Sequence, residues 1–276
     1  MRVLSIFVIV LSVIVLSAGA VLFATSTGKY EAPVINCSID KVIEAKVNVT
    51  DEELLSYVTA TDNQDGDISD KIKVIRKNYM IEDNMTVVTF AVSDSDNNVT
   101  EINRKLILSD YESPKIFSKS DFVFPSGYAY NLAQYITASD VIDGDITNYV
   151  KLISSEFTNV SGRYPVNIKV SNSMGDITEL VIKAIITDHD YFSTKIRLKE
   201  YITYTKVGAE PDYQSFIKDI YSTTPTDLKV DKIKIDSSEV DLTKPGIYDV
   251  YYRIYEKGSD EEVKTMSRLV VVVTEG

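Results

Sequence analysis

Apolar positions along the chain follow two regimes. Residues 3–24, VLSIFVIVLSVIVLSAGAVLFA, form an uncharged run of 22, with Arg2 before it and Lys29 the next charge after it. A helix rises about 1.5 Å per residue, so a run of this length predicts a membrane-spanning helix. Beyond it, apolar and polar positions mostly alternate. In MTVVTFAV (Met85 to Val92) and YPVNIKV (Tyr164 to Val170) one face at period 2 is apolar, which predicts half-buried strands. Short strands between turn signals about 8–12 residues apart predict antiparallel sandwiches. LVVVV (Leu269 to Val273) predicts a fully buried last strand, since it is far too short to span a bilayer. Thr50-x-x-Glu53 predicts a capped helical turn before Leu54, with Asn131 to Ile136 as its counterpart.

The alternation is itself periodic. ELLSYVTATDNQDGDISDKIKV from Glu53 aligns with NLAQYITASDVIDGDITNYVKL from Asn131, 78 residues on, and the same offset still relates Val92-Ser93-Asp94 to Val170-Ser171-Asn172. An ungapped offset over that length means two copies of one structural unit. A degenerate third copy keeps Gly246-Ile247-Tyr248-Asp249-Val250 against Gly162-Arg163-Tyr164-Pro165-Val166 but lacks the Asp-Gly-Asp loop. Pro and acidic residues punctuate the joins, giving segments 1–28, 29–109, 110–187 and 188–276.

Composition narrows the chemistry. With 29 Lys and Arg against 41 Asp and Glu, the net charge is −12, which disfavours nucleic acid and anionic lipid headgroups as partners. One Cys, one His and no Trp exclude a disulfide framework within the chain and leave almost no stock for Ser/His/Asp or multi-His sites. Tyr outnumbers Phe, 18 to 9, as suits half-wet strands. Because Arg2 and the amino terminus flank the apolar run, the positive-inside rule exports the rest. Two readings of residues 1–28 remain: a retained single-pass anchor, or a signal peptide cleaved after Ala20 in Ala18-Gly19-Ala20, which would yield a secreted protein.

The blocks ATDNQDGDIS (Ala60 to Ser69) and ASDVIDGDIT (Ala138 to Thr147), with the downstream Gly-x-Tyr-x-Val strand, resemble the bacterial immunoglobulin-like domains found in tandem on Gram-positive surface proteins, first catalogued as a domain of unknown function and in a pesticidal crystal protein. The resemblance implies an all-β protein: three tandem immunoglobulin-like β-sandwich domains after one N-terminal transmembrane helix. It also implies a spacer or adhesive role at the cell membrane, with an extracellular C-terminal region and no reaction. The sequence departs from surface proteins of that kind in having no LPxTG-type sorting signal and no apolar C-terminal tail, which leaves the N-terminal segment as the attachment.

Asp62, Asp65 and Asp67, repeated as Asp140, Asp143 and Asp145, gather three carboxylates around Gly66 and Gly144. Calcium takes six to eight oxygens, so these loops are candidate metal sites; equally, Asp bonds its own backbone and Asp-Gly is a preferred turn pair. No other cofactor is expected. The divergent segment 188–276 is the candidate contact for a protein or glycan, and a carbohydrate-binding module is the alternative function. Tyr201, Tyr204, Tyr251, Tyr252 and Tyr255 fit either a sugar-stacking platform or cross-strand packing. Cys37 alternates with Ile35 and Ile39 as a small hydrophobe or a thiol, and His189 sits at an acidic join.

Overall fold

The computed structural model describes residues 31–39, 42–77, 84–154, 158–224, 226–259 and 261–275. The apolar segment expected to span a membrane, and the cleavage motif ending at Ala20, lie outside these residues; no helix among the described residues is long and apolar enough to cross a bilayer.

The chain is all-β, and one two-sheet arrangement recurs along it. In the first block the strands are β1 (Val34–Cys37), β2 (Val42–Ala45), β3 (Val58–Asp62), β4 (Gly66–Asp67), β5 (Lys73–Lys77), β6 (Met85–Ser93) and β7 (Val99–Leu108). They form a small sheet, β1-β3-β4, and a larger one, β2-β7-β6-β5, in which β2 runs parallel to β7. The second block repeats this with β8 (Lys115–Ser118), β9 (Val123–Pro125), β10 (Ile136–Asp140), β11 (Gly144–Asp145), β12 (Lys151–Ser154), β13 (Gly162–Ser171) and β14 (Ile177–Thr187), in sheets β11-β10-β8 and β12-β13-β14-β9. The third comprises β15 (Thr194–Leu198), β16 (Ile202–Lys206), β17 (Ile217–Ser222), β18 (Lys234–Asp236), β19 (Gly246–Tyr255) and β20 (Val263–Thr274), in sheets β15-β17 and β16-β20-β19-β18. Even a register shift repeats: it falls between Val74 and Arg76 and, 78 residues on, between Leu152 and Ser154.

Local chemistry accounts for the short helices. Thr50 Oγ1 accepts from the Glu53 amide at 3.2 Å and a Glu53 carboxylate oxygen accepts from the Thr50 amide at 3.1 Å, a reciprocal cap that starts the helix α1 (Asp51–Leu55) and drops Leu54 into the core. Asn131 caps its counterpart through the Ala133 amide, and that turn closes as a 3₁₀ helix, Leu132–Tyr135.

By packing, the chain divides into two compact units, 1–109 and 110–276. Inside the second unit the sheet β16-β20-β19-β18 is covered on both faces. Leu269, Val271 and Val273 join Val250 and Tyr252 in the core of the third block, whereas Val270, Val272 and Ile202 join Ile116, Phe122 and Ile182 in the core of the second. This is why the run at 269–273 carries no alternation: a strand buried on both faces reads as continuously apolar.

Polar groups are trapped in the same contact. Arg268, with no exposed surface, donates through Nε to the Asp121 carbonyl at 3.3 Å and through Nη2 to the Lys183 carbonyl, and lies 3.6 Å from the Asp249 carboxylate. The buried Asp121 carboxylate accepts from Ser267 at 3.2 Å and from Lys195 at 3.4 Å. Phe122, next to it, is held at φ 55°, a left-handed conformation that a bulky residue adopts only where its surroundings enforce it. Its neighbours do so, since its carbonyl accepts from Ile185 at 2.8 Å and its ring is buried.

Candidate functional site

The acidic loops are built the same way twice. Asp62 Oδ1 accepts from the Gln64 and Asp65 amides at 2.8 and 2.9 Å, and Asp140 Oδ1 from the Ile142 and Asp143 amides at 2.8 and 3.0 Å. The second carboxylate reaches across to another strand connection: Asp65 accepts from the Ser95 amide and hydroxyl, and Asp143 from those of Ser173, at 2.6 to 2.8 Å. The third caps the following 3₁₀ turn, Asp67 through Ser69 and Asp145 through Thr147, with both amide contacts at 2.9 Å. Between the second and third, Gly66 and Gly144 take φ of 72° and 70°, where any Cβ would be strained.

These bonds hold Asp62, Asp65, Asp67 and Asp145 in their charged form. The Asp65 and Gln64 amides pull Asp62 below the usual carboxylate range, the Ser95 hydroxyl and amide do so for Asp65, and the Ser69 and Thr147 hydroxyls for Asp67 and Asp145. The loops therefore fasten two strand connections together at one end of each sandwich. Each carboxylate of a triplet faces its own donor, and among the described residues no group of three or more His, Cys, Asp or Glu is placed to hold a metal ion. Ser95 and Ser173, half of each clasp, belong to the strand-end loops 94–97 and 172–176, which the sequence offers as contributors if they lie at the same end of the sandwich, and they do lie there.

The two copies differ beside the clasp. In the second block a concavity of about 540 Å³ is lined by Asp143, Asp145, Tyr149, Lys151, Lys169 and Ser171, together with Ile146, Val170, Asn172 and Ser173. Of these ten positions, three change in the first block: Tyr149 corresponds to Lys71, Lys169 to Ala91 and Asn172 to Asp94. Lys71 folds onto Asp65 at 3.3 Å, while the Tyr149 side chain stays open, the residue 65% exposed.

The tyrosines that suggested a platform in the third block are used for packing. Tyr251 and Tyr252 are buried, and the Tyr252 hydroxyl donates to the Tyr213 carbonyl at 2.8 Å. Tyr204 inserts toward the second block, where its hydroxyl accepts from the Ile116 amide at 2.8 Å and donates to the Ile116 carbonyl at 3.0 Å. Tyr255 stacks with Lys234, and Tyr201 packs on the core. Cys37 is half-buried beside Ile35, and His189 is exposed, stacked on Tyr191 at 5.2 Å.

No family model matches the chain. It is 26% identical over 224 residues to the pesticidal crystal protein Cry22Aa of Bacillus thuringiensis, covering 77% of this chain and 29% of that protein, so it spans under a third of the relative's length. This homology agrees with the resemblance carried by the Asp-Gly-Asp blocks. Among solved structures, a carbohydrate-binding CBM51-2 and INT region of ZmpB from Clostridium perfringens aligns over 87% of this chain and 41% of its own, at 13% identity and a TM-score of 0.23. The lipoprotein BT2262 of Bacteroides thetaiotaomicron aligns over 87% and 98%, at 10% identity and a TM-score of 0.21. Superpositions this loose transfer neither a detail of fold nor a ligand.

Proposed function

We propose that the chain is a non-enzymatic binding protein of the cell surface, built from three immunoglobulin-like sandwiches of the bacterial type and held at the membrane by residues 3–24. The observation that carries the reading is the doubly covered sheet β16-β20-β19-β18, whose outer face shares a core with the second block and traps Arg268 against Asp121. A contact of that kind is no hinge: separating the blocks would expose a buried apolar face and break the Asp121–Lys195 pair and the Arg268 bonds to the Asp121 and Lys183 carbonyls. The last two sandwiches therefore form one rigid unit, the head, residues 110–276. With one sheet face of residues 188–276 consumed by this contact, that face is withdrawn as a ligand surface.

Enzymatic chemistry is disfavoured because the conspicuous acids are spent, copy for copy, on backbone and hydroxyl donors. The test is topological. On intact cells expressing the full chain, a membrane-impermeant amine label should reach lysines of 110–276, and the protein should sediment with membranes at its full mass. Loss of the first 20 residues with release to the medium would replace the anchor by a cleaved signal; protection of the head from the label would sink the proposal.

A further inference from the structure

The concavity of the second block carries features that the fold does not need. Tyr149 leaves most of its surface in water where the first block closes an ion pair, Lys71 with Asp65. Lys151 and Lys169 are directly opposed across β12 and β13, a like-charge pair that costs stability, whereas the first block opposes Lys73 to Ala91. Lys169 is paired with Glu179 at 2.5 Å; Lys151 has no ion pair among the described residues. The lining thus brings together the Asp143 and Asp145 carboxylates, the Ser171 and Ser173 hydroxyls, the Lys151 ammonium without an ion pair among the described residues, and the exposed Tyr149 ring.

That arrangement suits one ligand class. A pyranose ring presents an apolar face to an aromatic ring and a rim of hydroxyls to carboxylates and serines, and a carboxylate on the sugar would answer Lys151. We infer that the Tyr149 concavity is a binding site for glycans containing an acidic pyranose, with Tyr149 as stacking platform and Lys151 as the partner of the sugar carboxylate. The volume of about 540 Å³ lies in the range of small-molecule sites. The inference rests on the reading of the chain as a surface binding protein, and it places the ligand on the second sandwich, at the clasp.

The internal repeat supplies the controls. Tyr149→Lys and Lys169→Ala each install a residue the first block already carries at that position, so both variants should fold. Calorimetry on the full chain in a non-glycosidic detergent, with a galacturonic acid trimer as probe, should show binding that weakens with added salt. Tyr149→Lys and Lys151→Gln should each weaken it at least tenfold with unchanged melting temperature, and the fully methyl-esterified trimer should bind at least tenfold more weakly than the acid. Absence of heat at millimolar trimer, equal binding by Tyr149→Lys, or equal binding of the esterified trimer would each overturn the assignment. Surface labelling fails or succeeds independently of these titrations, so the two readings can be lost separately.

Discussion

At the scale of single residues, the two copies answer one structural question with different charges. In the second block the Asn172 amide donates to Asp140 Oδ2 at 3.1 Å. The corresponding pair in the first block is Asp94 and Asp62, and Asp62 Oδ2 is buried without a partner. Asp94→Asn combined with Asn98→Asp, the residue the second block carries there, should supply the missing donor without turning it on the Asn98 amide that donates to Asp94 Oδ2 at 2.8 Å, while Oδ1 keeps the backbone amides of residues 96 and 98, raising the stability of the first unit by about 1 kcal/mol. The reciprocal Asn172→Asp should cost about 1–3 kcal/mol by stranding Asp140 and crowding it with charge. Paired thermal melts of the full chain decide it, and shifts of the same sign for both variants would refute the repeat logic. For the acidic triplets the expectation is negative: any ion must first displace the amide and hydroxyl donors, so millimolar calcium should leave the melting temperature unchanged. A rise would reveal a native-state site. The sequence shows which residues form these loops, because turn chemistry is local. It does not single out Ser95 or Ser173 within the strand-end loops, because a serine 30 residues away carries no sign of its own.

At the scale of elements, strands and caps were legible and the contact between blocks was not. Period-2 burial in β6 and β13 and the Thr50 cap follow from neighbours in sequence. The run Leu269 to Val273 announces burial on both faces, yet nothing nearby states what covers the second face, since the partners of β20 lie far up the chain; Asp121 and Arg268 are 147 residues apart. The Arg268 contact makes a specific prediction. Arg268→Ala strips the Asp121 and Lys183 carbonyls of their donor, leaves the Asp249 carboxylate without its ion pair and opens a void, so it should cost about 3–5 kcal/mol. Arg268→Met, which fills the space, should cost less than alanine only if packing contributes to the loss. Calorimetry should place both losses in the transition of residues 110–276 and leave that of the first unit where it was; an undisturbed head would mean that the charge network holds nothing.

At the scale of the whole molecule, the head should come apart from the alkaline side. Burial pushes the Tyr204 hydroxyl up to about 12, against the bonding of its oxygen to the Ile116 amide, which works the other way. A folded pKa raised above the unfolded value of about 10 means that the neutral form is the one the fold prefers. Its contribution is complete below pH 10, declines as pH rises from there, and is gone once pH passes 12; with the side chain half-buried against the shared core, the loss is on the order of 2 kcal/mol. Ionisation removes the proton donated to the Ile116 carbonyl and puts a charge into the core shared by the two sandwiches. The head should thus lose stability between pH 10 and 12 by its shared interface. Tyr204→Phe should be less stable at neutral pH, having lost both hydroxyl bonds, but flatter across that window. Tm recorded against pH for the full chain and the variant isolates this group from Tyr111 and Tyr252, which burial also raises and which both proteins retain. Parallel curves for the two proteins would remove Tyr204 as the alkaline weak point and, with it, the claim that the sandwiches are joined through this contact.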